Sequence, residues 1–221
     1  MDAFLIIVPP HDKLIRLGAY GRRLTMRDTT LEFYDTNAKW FAEGTRGVEF
    51  HALQDAFLSC LPAGGDILDF GCGGGRDAKY FLEKGYKVDA VDGSEAMCRE
   101  AHIYTGLAVR RMLFDELNAE EAYDGIWACA SLLHVERRNL PPIFRKMTAA
   151  LREDGIIYAS FKYGTFEGFR GERMYTDFDE ASFTVFAGKF VELEIENLWV
   201  TGDARPGRGD ERWLNVLLKK L

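Results

Sequence analysis

Strand patterns alternate with helix patterns along most of the chain, from about residue 60 to its end. Asp66–Phe70 and Lys87–Asp92 have the length and composition of strands, and each precedes a longer stretch with apolar residues at helical spacing. Such alternation builds a parallel sheet with helices on both faces. Ligands of these sheets bind outside the carboxyl ends of the strands, where the strand order reverses. The alternation therefore predicts an α/β fold whose site lies at that edge.

Capping and turn residues set the limits of the predicted elements. Gly85 is expected to end one helix, Ser94 and Asp179 to cap two others, and Pro141 to occupy the first turn of a fourth. The predicted strands are residues 66–70, 87–92, 108–113, 125–129, 155–161, 191–200 and 212–218. The predicted helices are two within residues 30–61, followed by 76–84, 95–104, 141–151 and 180–186.

The composition disfavours several classes of protein. A chain of 221 residues fits a single domain. Its net charge of −7 argues against a broad nucleic-acid-binding face, which needs a basic surface. The four cysteines are too widely spaced for a zinc knuckle or a redox pair. We therefore expect no metal site and a reducing, cytoplasmic setting.

The first residues differ from the rest of the chain. The apolar run Phe4–Val8 is too short to span a membrane. Pro9 and Pro10 end this run, and acidic Asp2 stands where a signal peptide has basic residues. We expect residues 1–29 to form an extension and residues 30–221 to form the domain. Within the domain, the glycine-containing residues 164–177 are expected to form a mobile lid.

The strongest motif is the glycine-rich segment Leu68–Asp77, LDFGCGGGRD, between the first predicted strand and the next helix. Glycines there permit a sharp turn and let the backbone approach a ligand without a clash of Cβ atoms. Asp92 ends the second strand about 20 residues further on, where a carboxylate can accept hydrogen bonds from both hydroxyls of a ribose. Together these features predict a nucleotide-like ligand.

The charge of Asp69 separates two classes of cofactor. A carboxylate just before the loop repels the pyrophosphate of a dinucleotide but attracts an ammonium or a sulfonium group, and S-adenosylmethionine (SAM) carries both. Gly73–Ala78 also fits the dinucleotide pattern G-x-G-x-x-A at a shifted offset. Counted from Gly71, however, the sixth position is Arg76, where a dinucleotide loop needs a small residue. The residues favour SAM, with NAD(P) as the alternative.

In combination, these motifs resemble those of the class I SAM-dependent methyltransferases, from about residue 30 to the C-terminus. The glycine-rich segment resembles the first motif of the family, Val91–Ser94 the second and Tyr123–His134 the fourth-strand motif. Ala149–Gly155 resembles the segment that leads into the fifth strand, although Glu153 and Asp154 stand where Pro-Gly is usual. Within the family, the chain is most similar to tellurite-resistance-type and other small-molecule methyltransferases.

The resemblance implies a fold, a cofactor and a set of contacts. The fold is a Rossmann-like three-layer sandwich with a seven-stranded, mostly parallel sheet and an antiparallel last strand. The cofactor is SAM, and in such enzymes an acidic residue after the third strand, here Asp115, receives the adenine amino group. The cofactor-binding residues expected on this basis are Asp69, Gly71, Cys72, Gly73, Arg76, Asp92, Gly93, Ser94, Met97, Phe114, Asp115 and Ala130.

The methyl acceptor leaves weaker signals. Cys129–Leu132 stands where amide- and adenine-methylating members of the family carry Asn/Asp-Pro-Pro-aromatic, which disfavours those reactions. His134 follows the fourth strand and is the candidate general base. Arginines among glycines suit a carboxylate or another oxyanion. The candidate substrate-binding residues are Tyr163, Arg173, Arg205 and Arg208.

Two alternatives remain open beside methyl transfer to a small, anionic molecule. The chain fits an NAD(P)-dependent oxidoreductase through its shifted glycine pattern, and it also fits a SAM-binding module without catalysis. Arg205 and Arg208 equally suit a solvated surface on which Asp203, Asp210 and Glu211 balance their charge. The expected partner is a small-molecule acceptor, with neither nucleic acid nor membrane.

Overall fold

The computed structural model describes residues 26–221. The strand-like run Phe4–Val8 and nearly all of the predicted extension lie outside these residues. The helices are α1 (Met26–Arg46), α2 (His51–Leu58), α3 (Arg76–Glu83), α4 (Glu95–Thr105), α5 (Leu140–Ala150) and α6 (Glu180–Ala187). The strands are β1 (Asp66–Phe70), β2 (Lys87–Asp92), β3 (Arg110–Arg111), β4 (Tyr123–Ala128), β5 (Leu151–Lys162), β6 (Glu167–Arg170), β7 (Arg173–Thr176), β8 (Leu193–Gly202) and β9 (Arg212–Lys220). Within the described part, no helix is long and apolar enough to cross a membrane.

Seven strands form one mixed sheet in the order β3-β2-β1-β4-β5-β9-β8. β1 pairs in parallel with β2 and β4, and β4 pairs in parallel with β5. β9 runs antiparallel between β5 and β8. The predicted Rossmann-like sheet with an antiparallel last strand is confirmed. The strand order reverses between β1 and β4, so their carboxyl ends form the predicted edge.

The central strands are buried on both faces, as is usual for parallel sheets. On one face Trp127 of β4 stacks on Tyr158 of β5 with ring centroids 3.9 Å apart, and Phe57 of α2 packs on the same tryptophan. On the other face Phe144 of α5 meets Phe186 of α6 at 5.0 Å. Each such buried side chain contributes about 1.5–3 kcal/mol, so the two faces hold the sheet between its helical layers.

The hairpin of β6 and β7 lies within residues 164–177, which the sequence predicts as a loop. Gly171 has a φ of +62° at the first position of the two-residue turn between these strands. The hairpin forms a separate two-stranded sheet in which Phe169 pairs with Met174. Three glycines obscure the strand pattern in the sequence, because glycine weakens a strand that tertiary contacts can still stabilise.

Two other strands, β3 and β5, differ from the prediction by four residues or more in length. β3 is only Arg110–Arg111, whereas residues 108–113 were expected. β5 starts at Leu151, because Leu151 pairs with Tyr123 before an irregular stretch in which Asp154 has a φ of +60°. Asp154, which was expected just before the strand, therefore lies at a distortion inside it.

Helix α1 connects α4 to the β6–β7 hairpin. The carboxylate of Asp35 accepts hydrogen bonds from Ser94 Oγ at 2.6 Å and from the N–H of Ala96 at 3.1 Å, at the start of α4. The hydroxyl of Thr30 accepts one from the N–H of Met174 in β7 at 3.0 Å. The helix starts at Met26 in the described chain and so spans the domain boundary expected at residue 30. It forms one wall of the site edge.

We predict that Gly71→Ala destabilises the fold more than Gly85→Ala. Both glycines have a φ near +90°, which costs an L residue about 1–2 kcal/mol. A Cβ at Gly71 would lie 2.5 Å from Ser131 Cβ, whereas one at Gly85 would have no atom within 4 Å. In denaturant titrations Gly85→Ala should lose about 1 kcal/mol and Gly71→Ala at least about 2 kcal/mol. Equal losses would show that Ser131 moves aside without cost.

Candidate active site

A cavity of about 650 Å³ opens at the carboxyl ends of β1, β2 and β4. Its walls come from the glycine loop after β1, from α1, from the segments that follow β2 and β4, from the hairpin and from residues 203–213. Pockets for small ligands are typically about 300–1,000 Å³. The cavity therefore lies where the strand alternation predicts a binding site, and it has the size of one.

Backbone hydrogen bonds hold the glycine loop against the end of β2. The N–H groups of Gly71 and Cys72 both donate to the carbonyl oxygen of Val91, each at 2.9 Å. The N–H of Gly73 donates to the carboxylate of Asp92 at 2.9 Å. Gly73 has a φ of +54°, and a Cβ there would meet no atom within 4 Å. The loop therefore exposes bare backbone to the cavity beside an oriented carboxylate.

Two backbone donors orient Asp92. Its Oδ2 accepts the N–H of Gly73 and its Oδ1 accepts the N–H of Ser94, both at 2.9 Å. Each oxygen keeps a further lone pair for a hydroxyl of a ligand. Burial raises the pKa of this carboxyl, and the two backbone donors oppose that rise. The arrangement suits a ligand with two adjacent hydroxyls, such as a ribose.

Asp69 lies beneath the loop instead of in the cavity wall. It is 2% exposed and is not among the residues that line the cavity. Its Oδ2 has no hydrogen-bond partner within the described chain. Burial, and next the negative charge of Asp77, raise the pKa of Asp69 well above its ordinary value. Direct contact of Asp69 with a cofactor stays a prediction, and the position of its side chain does not favour it.

Arg76 lines the cavity and belongs to a buried hydrogen-bond network. Asp77 accepts from Arg76 Nε at 2.8 Å and Nη2 at 2.9 Å, from Gln54 at 2.7 Å and from Trp127 at 2.9 Å. Burial opposes the charge of Asp77, but its pKa is lowered because Arg76 and these donors outweigh burial. The Arg76 guanidinium also lies 4.0 Å from the ring centroid of Phe50. A guanidinium that is fixed by its ion pair with Asp77 therefore borders the cavity.

Nine of the twelve predicted cofactor residues line the cavity: Gly71, Cys72, Gly73, Arg76, Asp92, Gly93, Met97, Phe114 and Ala130. Besides Asp69, Ser94 and Asp115 are not among the residues that line it. Ser94 Oγ caps α4 by accepting the N–H of Met97 at 3.1 Å. Asp115 is exposed and forms an ion pair with Arg27 at 2.9 Å. As cofactor ligands, these two residues stay predictions.

His134, the candidate base, lies in the cavity wall against Tyr34 of α1. Its Nε2 is 2.7 Å from the Tyr34 hydroxyl, and its Nδ1 is 2.6 Å from the carbonyl oxygen of Met174. Removal from bulk water lowers the pKa of His134 to about 4 and raises that of Tyr34 to about 12. Both are uncharged at neutral pH. Sequence reasoning missed Tyr34, because nothing local marks a contact between residues 100 positions apart.

Carboxylates of the same loop bind two of the predicted substrate-binding arginines. Arg205 Nε donates to Asp203 at 2.8 Å, and a second, shorter contact joins its Nη2 to the same carboxylate. Arg208 pairs with Glu211 at 3.3 Å on the exposed rim. Both arginines line the cavity, but their charges are already balanced. The sequence left two interpretations of this loop, an anion-binding site and a surface with balanced charges. The geometry agrees with the second.

Arg173 has a different environment. Within residues 27–221 it forms no ion pair; its guanidinium lies 4.6 Å from the ring centroid of Phe33, and its Nη1 donates to the Tyr34 hydroxyl at 3.4 Å. Arg212 also lacks a carboxylate partner in this part of the chain, but it is exposed and stacks on Tyr163, the remaining predicted residue. Arg173 is therefore the half-buried cation in the wall that is available to an anion.

The fold and the cavity define a Rossmann-like domain with a pocket for a nucleotide-like cofactor. Residues 67–155 match the family model described as a methyltransferase domain. The probable SAM-dependent methyltransferase TehB of Haemophilus influenzae is 29% identical over 126 residues, which are 54% of this chain and 43% of that protein. The ubiquinone biosynthesis O-methyltransferase of Xanthomonas axonopodis pv. citri is 29% identical over 56% of each chain. The match spans about half the length of these relatives.

Solved structures extend the likeness to nearly the whole chain. The 1,6-didemethyltoxoflavin-N1-methyltransferase of Burkholderia thailandensis, solved with its substrate and S-adenosylhomocysteine, superposes with a TM-score of 0.72 at 22% identity. The superposition covers 96% of this chain and 93% of that one, and it shows the shared fold. The chain thus matches a methyltransferase domain over residues 67–155, is similar to a probable SAM-dependent methyltransferase, and shares the fold of a methyltransferase solved with S-adenosylhomocysteine.

We predict that His134 reduces stability in mild acid. The unfolded chain protonates this histidine near its ordinary pKa of about 6.5, whereas the folded chain resists protonation down to about 4. Between these values the unfolded state binds more protons, so the free energy of unfolding falls as the pH falls. From pH 7.5 to pH 5 the loss is up to about 2 kcal/mol.

Denaturant titrations of wild type and His134→Gln at the two pH values measure this effect. The glutamine does not titrate, so the variant should lose up to about 2 kcal/mol less stability than wild type between pH 7.5 and pH 5. Other titrating groups contribute equally to both proteins and cancel in the comparison. The same pH dependence in both would show that His134 titrates normally in the folded chain.

Proposed function

We propose that the chain transfers the methyl group of SAM to a small, anionic molecule bound in the same cavity. One observation carries the proposal: a single cavity is lined both by the glycine loop with Asp92 and by the half-buried guanidinium of Arg173. A donor and an acceptor that share one cavity can be held in line, and alignment supplies much of the acceleration of a displacement reaction.

The part of the cavity beside the glycine loop fits SAM. Asp92 would accept the two ribose hydroxyls, and the bare backbone at Gly73 leaves room for the ligand to approach. Met97 and Phe114 would border the adenine, and the fixed guanidinium of Arg76 would meet the carboxylate of the amino-acid part. When bound, SAM supplies a methyl group on a sulfonium. A nucleophile can attack the methyl carbon, and the sulfur then leaves as a neutral thioether.

The part of the cavity beside the hairpin fits a small anion. Arg173 is flanked by the rings of Phe33 and Tyr175, with centroids 4.6 and 5.4 Å away. An anion bound there would form a charge-assisted hydrogen bond in an apolar setting, which contributes about 1.5–3 kcal/mol. Residues 164–177, which include the hairpin, would act as the lid over this anion.

We also propose the setting and the kind of partner. All four cysteines are free thiols, which suits a reducing cytoplasm. The net charge of −7 disfavours a nucleic-acid acceptor, and the cavity is closed in on several sides instead of forming an open groove. A small metabolite is the acceptor that these features favour.

We predict that SAM and S-adenosylhomocysteine raise the melting temperature and that NAD does not. Asp92→Ala should abolish most of the shift, because it removes the acceptors for the ribose and frees the loop N–H of Gly73. Glu83→Ala is the control, since that carboxylate is exposed, pairs with Lys79 and is not among the residues that line the cavity. Equal loss in both variants, or a shift with NAD alone, would contradict the assignment.

We predict that Arg173→Ala raises the KM of the acceptor about tenfold to a hundredfold with the SAM affinity unchanged. Arg208→Ala should leave both quantities nearly unchanged, because Glu211 already balances that exposed arginine. The measurement is methyl transfer from radiolabelled SAM to a panel of small carboxylates, which also separates an enzyme from a SAM-binding module. An unchanged KM in Arg173→Ala would remove the basis for an anionic acceptor.

A further inference from the structure

The contact between Tyr34 and His134 fixes the position of one proton in the cavity wall. The carbonyl oxygen of Met174 can only accept a hydrogen bond, so His134 Nδ1, 2.6 Å away, must carry a hydrogen. In a neutral imidazole the other nitrogen, Nε2, then has a lone pair. The Tyr34 hydroxyl, 2.7 Å from Nε2, must therefore donate its proton to His134.

The direction of this hydrogen bond determines what Tyr34 offers to a ligand. With its proton turned toward His134, the phenol oxygen has only lone pairs left. Arg173 Nη1 approaches it at 3.4 Å, a long contact that leaves accepting capacity. Tyr34 lines the cavity and lies close enough to Asp92 for that charge to raise its pKa further. The Tyr34 oxygen is therefore a hydrogen-bond acceptor between Arg173 and the part of the cavity beside the glycine loop.

Among residues 27–221, the same geometry leaves no base in hydrogen-bond contact with this oxygen. The accepting nitrogen of His134 is occupied by the Tyr34 hydroxyl. A relay would move a proton from the Tyr34 phenol, of pKa about 12, to the neutral imidazole of His134, whose protonated form has a pKa of about 4. The other hydrogen-bond partner of Tyr34, Arg173, is a cation. We therefore expect a nucleophile held by Tyr34 to attack without prior loss of a proton to Tyr34 or His134.

We propose that Tyr34 contacts the reacting atom of the acceptor and that this atom is a nitrogen bearing hydrogen, in a small anionic amine. The proposal rests on the methyltransferase function proposed above. Such a nitrogen donates its N–H to the Tyr34 oxygen while its lone pair stays free, whereas a hydroxyl or thiol nucleophile would need a base. His134 is a positioning residue that holds the tyrosine proton away from the substrate.

The transfer balances without a protein base. The nitrogen lone pair forms the bond to the methyl carbon, and the sulfur keeps the electron pair of the bond that breaks. The methylated nitrogen then carries a positive charge and loses its proton to water. Arg173 holds the negatively charged group of the acceptor throughout, so Tyr34 and Arg173 together select an anion with a nearby N–H group.

The state of His134 can be tested without an acceptor or a cofactor. NMR of protein with ¹⁵N-labelled histidine, with the signal assigned by its loss in His134→Gln, reports which ring nitrogen carries hydrogen. We expect the neutral Nδ1–H form at every pH from 5 to 8. A midpoint of protonation near 6.5, or hydrogen on Nε2, would overturn the proposal while leaving the methyltransferase function intact.

The nature of the nucleophile can be tested with three planar probes that differ in one atom. Anthranilate, salicylate and thiosalicylate present an amine, a hydroxyl and a thiol beside the same carboxylate. With wild type and SAM, we expect methylation of anthranilate in preference to the other two. Preference for salicylate or thiosalicylate, or methylation of none of the three, overturns the nitrogen assignment. Loss of the thermal shift with SAM would instead contradict the proposed function itself.

Matched variants separate positioning from base catalysis. Tyr34→Phe should lower kcat/KM for anthranilate about tenfold with SAM affinity unchanged. His134→Gln extends an amide to the place of Nε2 and can still accept from Tyr34, so it should retain most activity. His134→Asn reaches only the place of Nδ1, so it should fall to the level of Tyr34→Phe. The two histidine variants could instead lose the same kcat/KM, and more of it than Tyr34→Phe. Together with a wild-type pH profile that rises near pH 6.5, that result would make His134 the base.

Discussion

The hydrogen bonds between the glycine loop and the end of β2 are the constraint on which the site depends. Gly71 and Cys72 share the carbonyl oxygen of Val91, and Gly73 reaches the carboxylate of Asp92. These contacts join the ends of two neighbouring strands through backbone, so a single carboxylate both fixes the loop and faces the cavity. The packing of Gly71 against Ser131 then ties the same loop to the segment after β4. Three strand ends are thereby held in one arrangement.

The sequence predicts the sheet and the cofactor half of the site because their signals are local. Strand spacing, the run of glycines and Asp92 all lie within about thirty residues of one another. The acceptor half depends on contacts that no local pattern records. Tyr34 meets His134 across 100 positions, and Thr30 meets the backbone of Met174 across 144. Helical spacing identifies α1 as a helix but does not show which surface it covers.

The environment of a charged residue is equally hard to predict from the sequence. Asp69 and Trp127 are register partners in neighbouring parallel strands, so their side chains share one face of the sheet, where Trp127 is fully buried. The alternation of the strand therefore turns Asp69 away from the cavity, although its place in the sequence is next to the loop. In the loop after β8, Asp203 lies two positions from Arg205 and binds it. The sequence shows as many acidic as basic residues at positions 201–212, and the geometry shows which of them pair.

The hairpin of β6 and β7 pairs only with itself, outside the seven-stranded sheet. Its length and side chains can therefore change without altering the register of any strand that carries the cofactor loop. It nevertheless supplies Arg173 and the carbonyl group that orients His134. The wall that we propose for the acceptor can therefore vary while the seven-stranded sheet stays the same. If the hairpin binds the acceptor as proposed, the choice of substrate could change through residues 167–176 alone, while the strands that carry the cofactor loop stay the same.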